Sequence, residues 1–322
     1  ARRSPCDKPL TTSLVNSELG GPGVVMTDIK TVLLSGASGF IGTELTQQLR
    51  ATGHTVVRLV RHPTREPDER MWDPEAGWLN PGAIDQADAV INLSGASLSH
   101  LPWTLAYKRK ILESRVNATN TLAAAIAKAK NPPTVFLSSS AVGYYGNRPG
   151  EILTEQSATG TGFLPKVTDA WERASQIATP ATQVVNFRTG LVIGRGGIAK
   201  TFQLVAKLGA AGPLGSGEQV WPWISLRDEV AAINHLLTSE LSGPINLVAP
   251  NPCTAAEVMK EFTERAHRPY WLPAPAWALT AGLGDAGREL ILADQNVSSQ
   301  LLMKDGFEFQ HSTLNHALDE AI

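Results

Sequence analysis

Several residue patterns are scarce or missing in this chain of 322 residues. Cysteine occurs twice, as Cys6 and Cys253, far apart and without metal-ligand spacing. A disulfide-dense scaffold is therefore excluded, and a reducing, cytoplasmic setting fits best. The seven histidines form no HExxH pattern and the cysteines no CxxC, so no metal site is expected. No apolar run approaches the roughly 20 residues of a membrane helix. The formal net charge is -2, with no acidic or basic block. Nucleic acid and membrane surfaces are thus poor candidates for partners, and a small-molecule substrate is the better one. The opening stretch lacks the apolar core of a secretory signal and ends in GGPG. Residues 1–28 are read as a leader or the tail of an upstream segment, with Met26 a candidate natural start.

From residue 29 onward, short apolar runs alternate with helical stretches. IKTVLLS, HTVVRLVR, DAVINLSG, PTVFLSSS and QVVNFRTGLVIG read as strands. FIGTELTQQLRATG, the long segment from Leu101 to Lys130, and TDAWERASQIA read as helices. Near-continuous apolar strands alternating with helices predict an α/β fold, a doubly wound Rossmann-like parallel sheet covered on both faces. Beyond about residue 195 the rhythm changes to Gly/Pro-rich loops, short helices and the strand PINLVAP. The expected organisation is a dinucleotide-binding domain over 29–195 and a smaller C-terminal substrate lobe over 196–322, with 228–250 returning to the sheet.

The stretch GASGFIG places Gly36, Gly39 and Gly42 between the strand KTVLLS and a helix. A dinucleotide diphosphate binds where unpaired amides and the helix dipole favour anions. Gly36 permits the tight turn, Gly39 the close approach of a phosphate, and Gly42 the packing of helix on strand. The next strand ends LVRHPTR, with Arg61 and Arg65 where an NAD-binding fold usually carries a carboxylate. A guanidinium suits a 2′-phosphate, so NADP(H) is expected in preference to NAD(H).

GASGFIG, DAVINLSG, SSSAVGYYG and FRTGLVIG together resemble the extended short-chain dehydrogenase/reductase superfamily. PWTLAYKRKILESRVNAT, DAWE, GSGEQVWPWIS and LMKDGFEF narrow the resemblance to its atypical "epimerase family protein" subgroup, with a C-terminal extension over about 270–320. The resemblance implies cofactor contacts at Gly36, Ser38, Gly39, Phe40, Ile41 and Gly42, with Arg61 near the adenosine phosphate. Leu93, Ser94 and Gly95 would line the adenine–ribose side. Asn117 matches the Asn of an N-x-x-x-T helix pattern completed by Thr121. Arg188, Thr189 and Gly190 would pass near the nicotinamide. A homodimer through the long flanking helices follows by analogy alone.

The superfamily's catalytic set is a Ser or Thr, a Tyr, and a Lys four residues later. The phenol moves a proton while hydride moves at carbon, and the ammonium lowers the phenol's pKa. Ser140, then Ser139, are the candidates for the hydroxyl. The Tyr-x-x-x-Lys pair is missing: matching Glu172 of DAWE to the superfamily's Glu puts Leu164 and Thr168 in its two places. Tyr144 or Tyr145 could supply the acid, Lys166 the ammonium, and Glu155 is a further acid close in sequence. Two readings stay open: an oxidoreductase or epimerase-like enzyme, or an NADPH-binding sensor with little catalysis. Trp103, Trp221 and Trp223 could line a substrate pocket or pack the interface between lobes. Lys108, Arg109 and Arg115 could meet an anionic substrate or belong to solvated helix faces.

Overall fold

The computed structural model describes residues 29–321. The chain runs β1 (Thr31–Ser35), α1 (Phe40–Ala51), β2 (Thr55–Val60), β3 (Glu69–Asp73), β4 (Trp78–Leu79), β5 (Ala89–Asn92), α2 (Leu105–Ala127) and β6 (Val135–Ala141). It continues through β7 (Ile152–Leu153), α3 (Phe163–Ser175), β8 (Gln183–Thr189), β9 (Leu191–Ile193), α4 (Gly197–Lys207), β10 (Val220–Trp221), β11 (Trp223–Ser225), α5 (Leu226–Leu236) and β12 (Gly243–Leu247). The last elements are β13 (Cys253–Thr254), α6 (Ala255–Arg265), α7 (Ala276–Leu283), β14 (Asn296–Val297), α8 (Gln300–Lys304) and α9 (Leu314–Ala321).

The central sheet has the order β12-β8-β6-β5-β1-β2-β3-β4, parallel except for the β3–β4 pair. The doubly wound parallel architecture expected from the apolar runs is present. β1 lies between β2 and β5, so the chain reverses its direction of travel at this point and leaves a crevice beyond the carboxyl ends. Val32, Leu34, Ile91, Leu137 and Phe187 pack with residues of α1 and α5 on one face, and Leu33, Val90 and Phe136 with α2 on the other. β3 and β4, at the end of the sheet, escape the apolar-run reading because ERMWD is rich in charge and the edge strand β4 has only two residues.

A separate core holds the C-terminal half together. Phe202 of α4, Trp221, Trp223 and Phe262 of α6 are buried there with Leu314 and Leu318 of α9. The indole N–H groups of Trp221 and Trp223 donate to the carbonyls of Ile291 and Asn251, both at 3.0 Å. Trp103 is likewise buried and donates to Leu98. All three tryptophans therefore serve packing. Ser225 caps α5 by accepting from the Asp228 amide. Among the described residues no helix is long and apolar enough to cross a membrane.

Candidate cofactor and catalytic site

The glycine turn leaves β1 at Ser35, and each of its glycines has a geometric reason. Gly36 has φ of 75°, and a Cβ there would sit 2.8 Å from the Leu93 carbonyl group. A Cβ on Gly42 would lie 2.2 Å from the Gly36 oxygen, so only glycine lets α1 approach β1 this closely. Gly39 caps α1 without a side-chain hydrogen bond, and the first turn carries no acid. By helix geometry the Phe40, Ile41 and Gly42 amides have no intrahelical acceptor, and Ser38 is exposed beside them. This end of α1 can hold an anion. The Phe40 ring turns aside and packs on a second glycine segment, Gly194, Gly196 and Gly197.

Arg61, just past β2, is exposed and makes no hydrogen bond or ion pair among the described residues. Two acids of the following segment are already engaged. Asp68 takes two hydrogen bonds from Arg58, at 2.9 and 2.8 Å. The buried Glu69 accepts the Arg65 amide at 2.8 Å, which holds its carboxyl below the usual carboxylate range and fixes the loop between β2 and β3.

Across the switch point, Leu93, Ser94 and Gly95 follow β5. Asn92, missed in the sequence, organises this turn. Its carboxamide oxygen accepts from Ser35 Oγ at 2.6 Å and the Ser94 amide at 3.2 Å, while its nitrogen donates to Thr119. Asn117 is partly exposed and its carboxamide makes no hydrogen bond among the described residues. Thr121 Oγ1 bonds the Asn117 backbone carbonyl rather than its side chain.

The carboxyl end of β6 is different. Ser140 is 4% exposed and its Oγ donates to Glu172 of α3 at 2.6 Å. Glu172 also takes a bidentate pair of bonds from Arg188, at 2.7 and 2.8 Å. Burial works against the Arg188 charge, but Glu172 and Tyr145 together outweigh it and raise the guanidinium pKa further. Arg188 Nη1 donates to the Tyr145 hydroxyl at 2.9 Å, which donates to Asn246 at 2.7 Å. Asn246 donates its amide to Glu155, whose carboxyl is raised by burial. Ser140, Tyr145, Glu155 and Arg188 thus form one closed chain of hydrogen bonds. Burial pushes the Tyr145 phenol up to about 12.

Tyr144 stands apart. It is partly exposed, its hydroxyl has no partner among the described residues, and the Arg188 guanidinium lies 3.5 Å from its ring centroid. Ser139, 9% exposed, likewise has an unengaged hydroxyl. Lys166 is not brought to these groups: it occupies the exposed side of α3, whereas Leu164, Val167, Thr168 and Trp171 form the buried side. Thr168 Oγ1 bonds back to the helix carbonyls of Leu164 and Pro165. A cavity of about 400 Å³ opens beside Gly143 and is lined by Asn147, Gly162, Leu164, Arg288 and Glu289. Glu289 caps α3 by accepting the Phe163 and Leu164 amides at 2.8 and 2.6 Å. No sequence pattern pointed to Glu289, because its target lies more than a hundred residues away.

Thr189, at the end of β8, donates to Glu229 of α5 at 2.7 Å. Glu229 is fully buried, its Oε2 has no partner among the described residues, and burial raises its carboxyl to about 8. Gly190 allows the chain to pass Pro222, whose oxygen would sit 2.6 Å from a Cβ. Lys108, read as a candidate for an anionic substrate, is paired with Asp285 of the C-terminal extension, and Arg109 is solvated.

The sheet order and the glycine turn define the Rossmann-like class of α/β proteins. More particularly, the chain belongs to the NAD dependent epimerase/dehydratase family, whose model matches residues 32–248. A second match, to "Domain of unknown function (DUF1731)", covers residues 274–321. Epimerase family protein Mb2239 of Mycobacterium bovis is 38% identical over 293 residues, covering 90% of this chain and 97% of that protein. Epimerase family protein YfhF of Bacillus subtilis is 33% identical, covering 90% and 97%. The crystal structure of human epimerase family protein SDR39U1 (isoform 2) with NADPH superposes with a TM-score of 0.83 at 32% identity, covering 90% of this chain and 98% of that one.

Proposed function

We propose that this protein is an NADP(H)-dependent enzyme of the oxidoreductase or epimerase type, acting on a small carbonyl or hydroxyl compound. The observation that carries the reading is the uncapped, acid-free start of α1, with the unpaired Arg61 at the end of the neighbouring strand. The amides of Phe40, Ile41 and Gly42 suit the diphosphate, and Arg61 suits the adenosine 2′-phosphate. The NADPH in the human relative supports the same choice.

When bound, the nicotinamide supplies or accepts hydride. The remaining work falls to this chain. Tyr144 is the phenol whose proton is uncommitted among the described residues, and the Arg188 guanidinium against its ring holds that ring in place. Ser140 already donates its hydrogen bond to Glu172 and offers a substrate hydroxyl only its lone pairs, whereas the Ser139 hydroxyl is free to donate. A second reading, an NADPH-binding sensor, is favoured by the closed chain from Ser140 to Asn246 and by Leu164 and Thr168 in place of an acid and its cation.

Calorimetric titration with NADPH and NADH tests the cofactor choice. Wild type is expected to bind NADPH about tenfold or more tightly than NADH, and Arg61→Asp to erase that preference. No binding of either dinucleotide would sink both readings together.

A further inference from the structure

The enclosed cations of this protein divide by what faces them. Arg58 meets Asp68, Arg188 meets Glu172, Lys108 meets Asp285, and Arg265 meets Glu261. Arg115, on α2, meets no carboxylate among the described residues. Its Nη1 donates to the carbonyls of Ala96 and Ile111, at 3.1 and 3.0 Å. Its Nε and Nη2 have no acceptor there. A guanidinium carries five N–H donors in a fixed fork, so the side of the fork that binds carboxylate or phosphate bidentately is left unused.

The surroundings hold this charge in place without neutralising it. The guanidinium carbon lies 5.1 Å from the ring of Trp171, whose buried indole N–H also lacks an acceptor among the described residues. A Cβ on Gly95 would come within 3.1 Å of the Arg115 Cζ, so the glycine after β5 makes room for the fork. The segment Gly95–Ser99 contributes no acid, and Glu113 on the same helix points to solvent. Burial lowers the Arg115 pKa to about 10, which still leaves it charged at neutral pH. Lys108 and Arg109, on the same helix, reach an acid or water instead. An enclosed cation with open donors is disfavoured until an anion arrives.

We propose that Arg115 is an anion-binding residue, set between α2, Trp171 and the turn after β5, that receives a phosphate or carboxylate group of a bound ligand. The proposal rests on the dinucleotide reading above, because that turn is the adenine–ribose side of the crevice in it. The anion then has two sources: a phosphate of the dinucleotide, or an acidic group on the second substrate. The second source would make the substrate an anionic carbonyl or hydroxyl compound.

The test uses the full chain as wild type, Arg115→Gln and Arg115→Lys. Each is titrated with NADPH, and then, saturated with NADPH, with inorganic phosphate at constant ionic strength. An NADPH Kd about tenfold or more weaker in Arg115→Gln, partly restored in Arg115→Lys, assigns the anion to the dinucleotide. An unchanged NADPH Kd, with phosphate binding to the loaded wild type and lost in Arg115→Gln, assigns it to the second ligand. If neither property depends on Arg115, the proposal is overturned. Wild-type protein that binds no NADPH would instead overturn the cofactor reading. Should Arg115→Gln fail to fold, phenylglyoxal labelling of the wild type decides the matter. Protection of Arg115 by NADPH or by phosphate supports the proposal, and equal labelling under all conditions overturns it.

Discussion

The two halves of the sheet's carboxyl edge are built on opposite plans. Beside the Asn92 turn, the half on β1, β2 and β5 presents groups without partners among the described residues: the α1 amides, the Arg61 guanidinium and, on α2, the Asn117 carboxamide. The half on β6, α3 and β8 ends in groups that bond one another, from Ser140 through Glu172, Arg188 and Tyr145 to Asn246. Open donors in a crevice are a cost that a ligand recovers. A closed network needs no ligand, and it rigidifies the wall against which one would bind. The difference teaches that binding capacity and catalytic capacity are separable in this fold. The first is set by the backbone at one switch point. The second depends on which side chains of the closed half still hold a free proton, and Tyr144 and Ser139 are the candidates.

The largest expected effect comes from opening the closed half at its centre. Glu172→Gln leaves the Arg188 guanidinium, 2% exposed, without its counter-charge. We expect a loss of about 3–5 kcal/mol of stability, the usual consequence of breaking a buried pair from one side. Arg188→Met in the same chain should recover much of it. Equilibrium denaturation measures both, and NADPH affinity measured alongside should stay within about twofold if the halves are independent. A cost below about 1 kcal/mol would mean that the network is solvated and not closed.

Glu229 gives the closed half a pH signature. Its folded pKa of about 8 lies above the ordinary 4.5. Between those values the folded chain keeps a proton that the unfolded chain releases. This group's contribution is therefore complete below pH 4.5 and is lost progressively as pH rises to about 8. The slope in that window is at most about 1.4 kcal/mol per pH unit. Glu229→Gln keeps the Thr189 bond and cannot ionise. Its Tm should exceed that of wild type at about pH 8, and the gap should close toward about pH 5. A constant gap across this range would show that Glu229 is not held protonated.

The open half was legible in the sequence because its shape is carried by the backbone. Three glycines at fixed spacing, a strand before them and a helix after are local signals, and each glycine sits where a Cβ would clash or the turn requires it. The place of Arg61 was legible for the same reason, as the residue just past β2. The closed half was legible only in its residue types. Ser140 stands at the end of β6, where the resemblance implies, and Tyr145 follows it as a substitute for the missing Tyr, but their partners come from elsewhere: Glu172 is 32 positions from Ser140, and Asn246 is 101 from Tyr145. Spacing cannot reveal such pairs, and it cannot show that Lys166 falls on the outer side of its helix. Glu229 was invisible because acids in a helix's first turn, here Asp228 and Glu229, read as dipole partners, not as a buried, neutral carboxyl.

The smallest effects should also separate the adjacent tyrosines. Tyr145→Phe removes a hydroxyl that accepts from Arg188 and donates to Asn246, leaving both partners short in a fully buried site. A loss of about 1–3 kcal/mol is expected, since buried groups lose their bonds without gaining water. Tyr144→Phe removes a hydroxyl with no protein partner and keeps the ring under the Arg188 guanidinium, so stability should change by less than about 0.5 kcal/mol. Turnover of NADPH with any accepted carbonyl should show the opposite order. Losing the Tyr144 proton should lower kcat by about a hundredfold or more, and losing Tyr145 should lower it far less. Equal kcat in both variants would remove the acid from this half of the site and leave the sensor reading as the better account of an open cofactor crevice beside a closed wall.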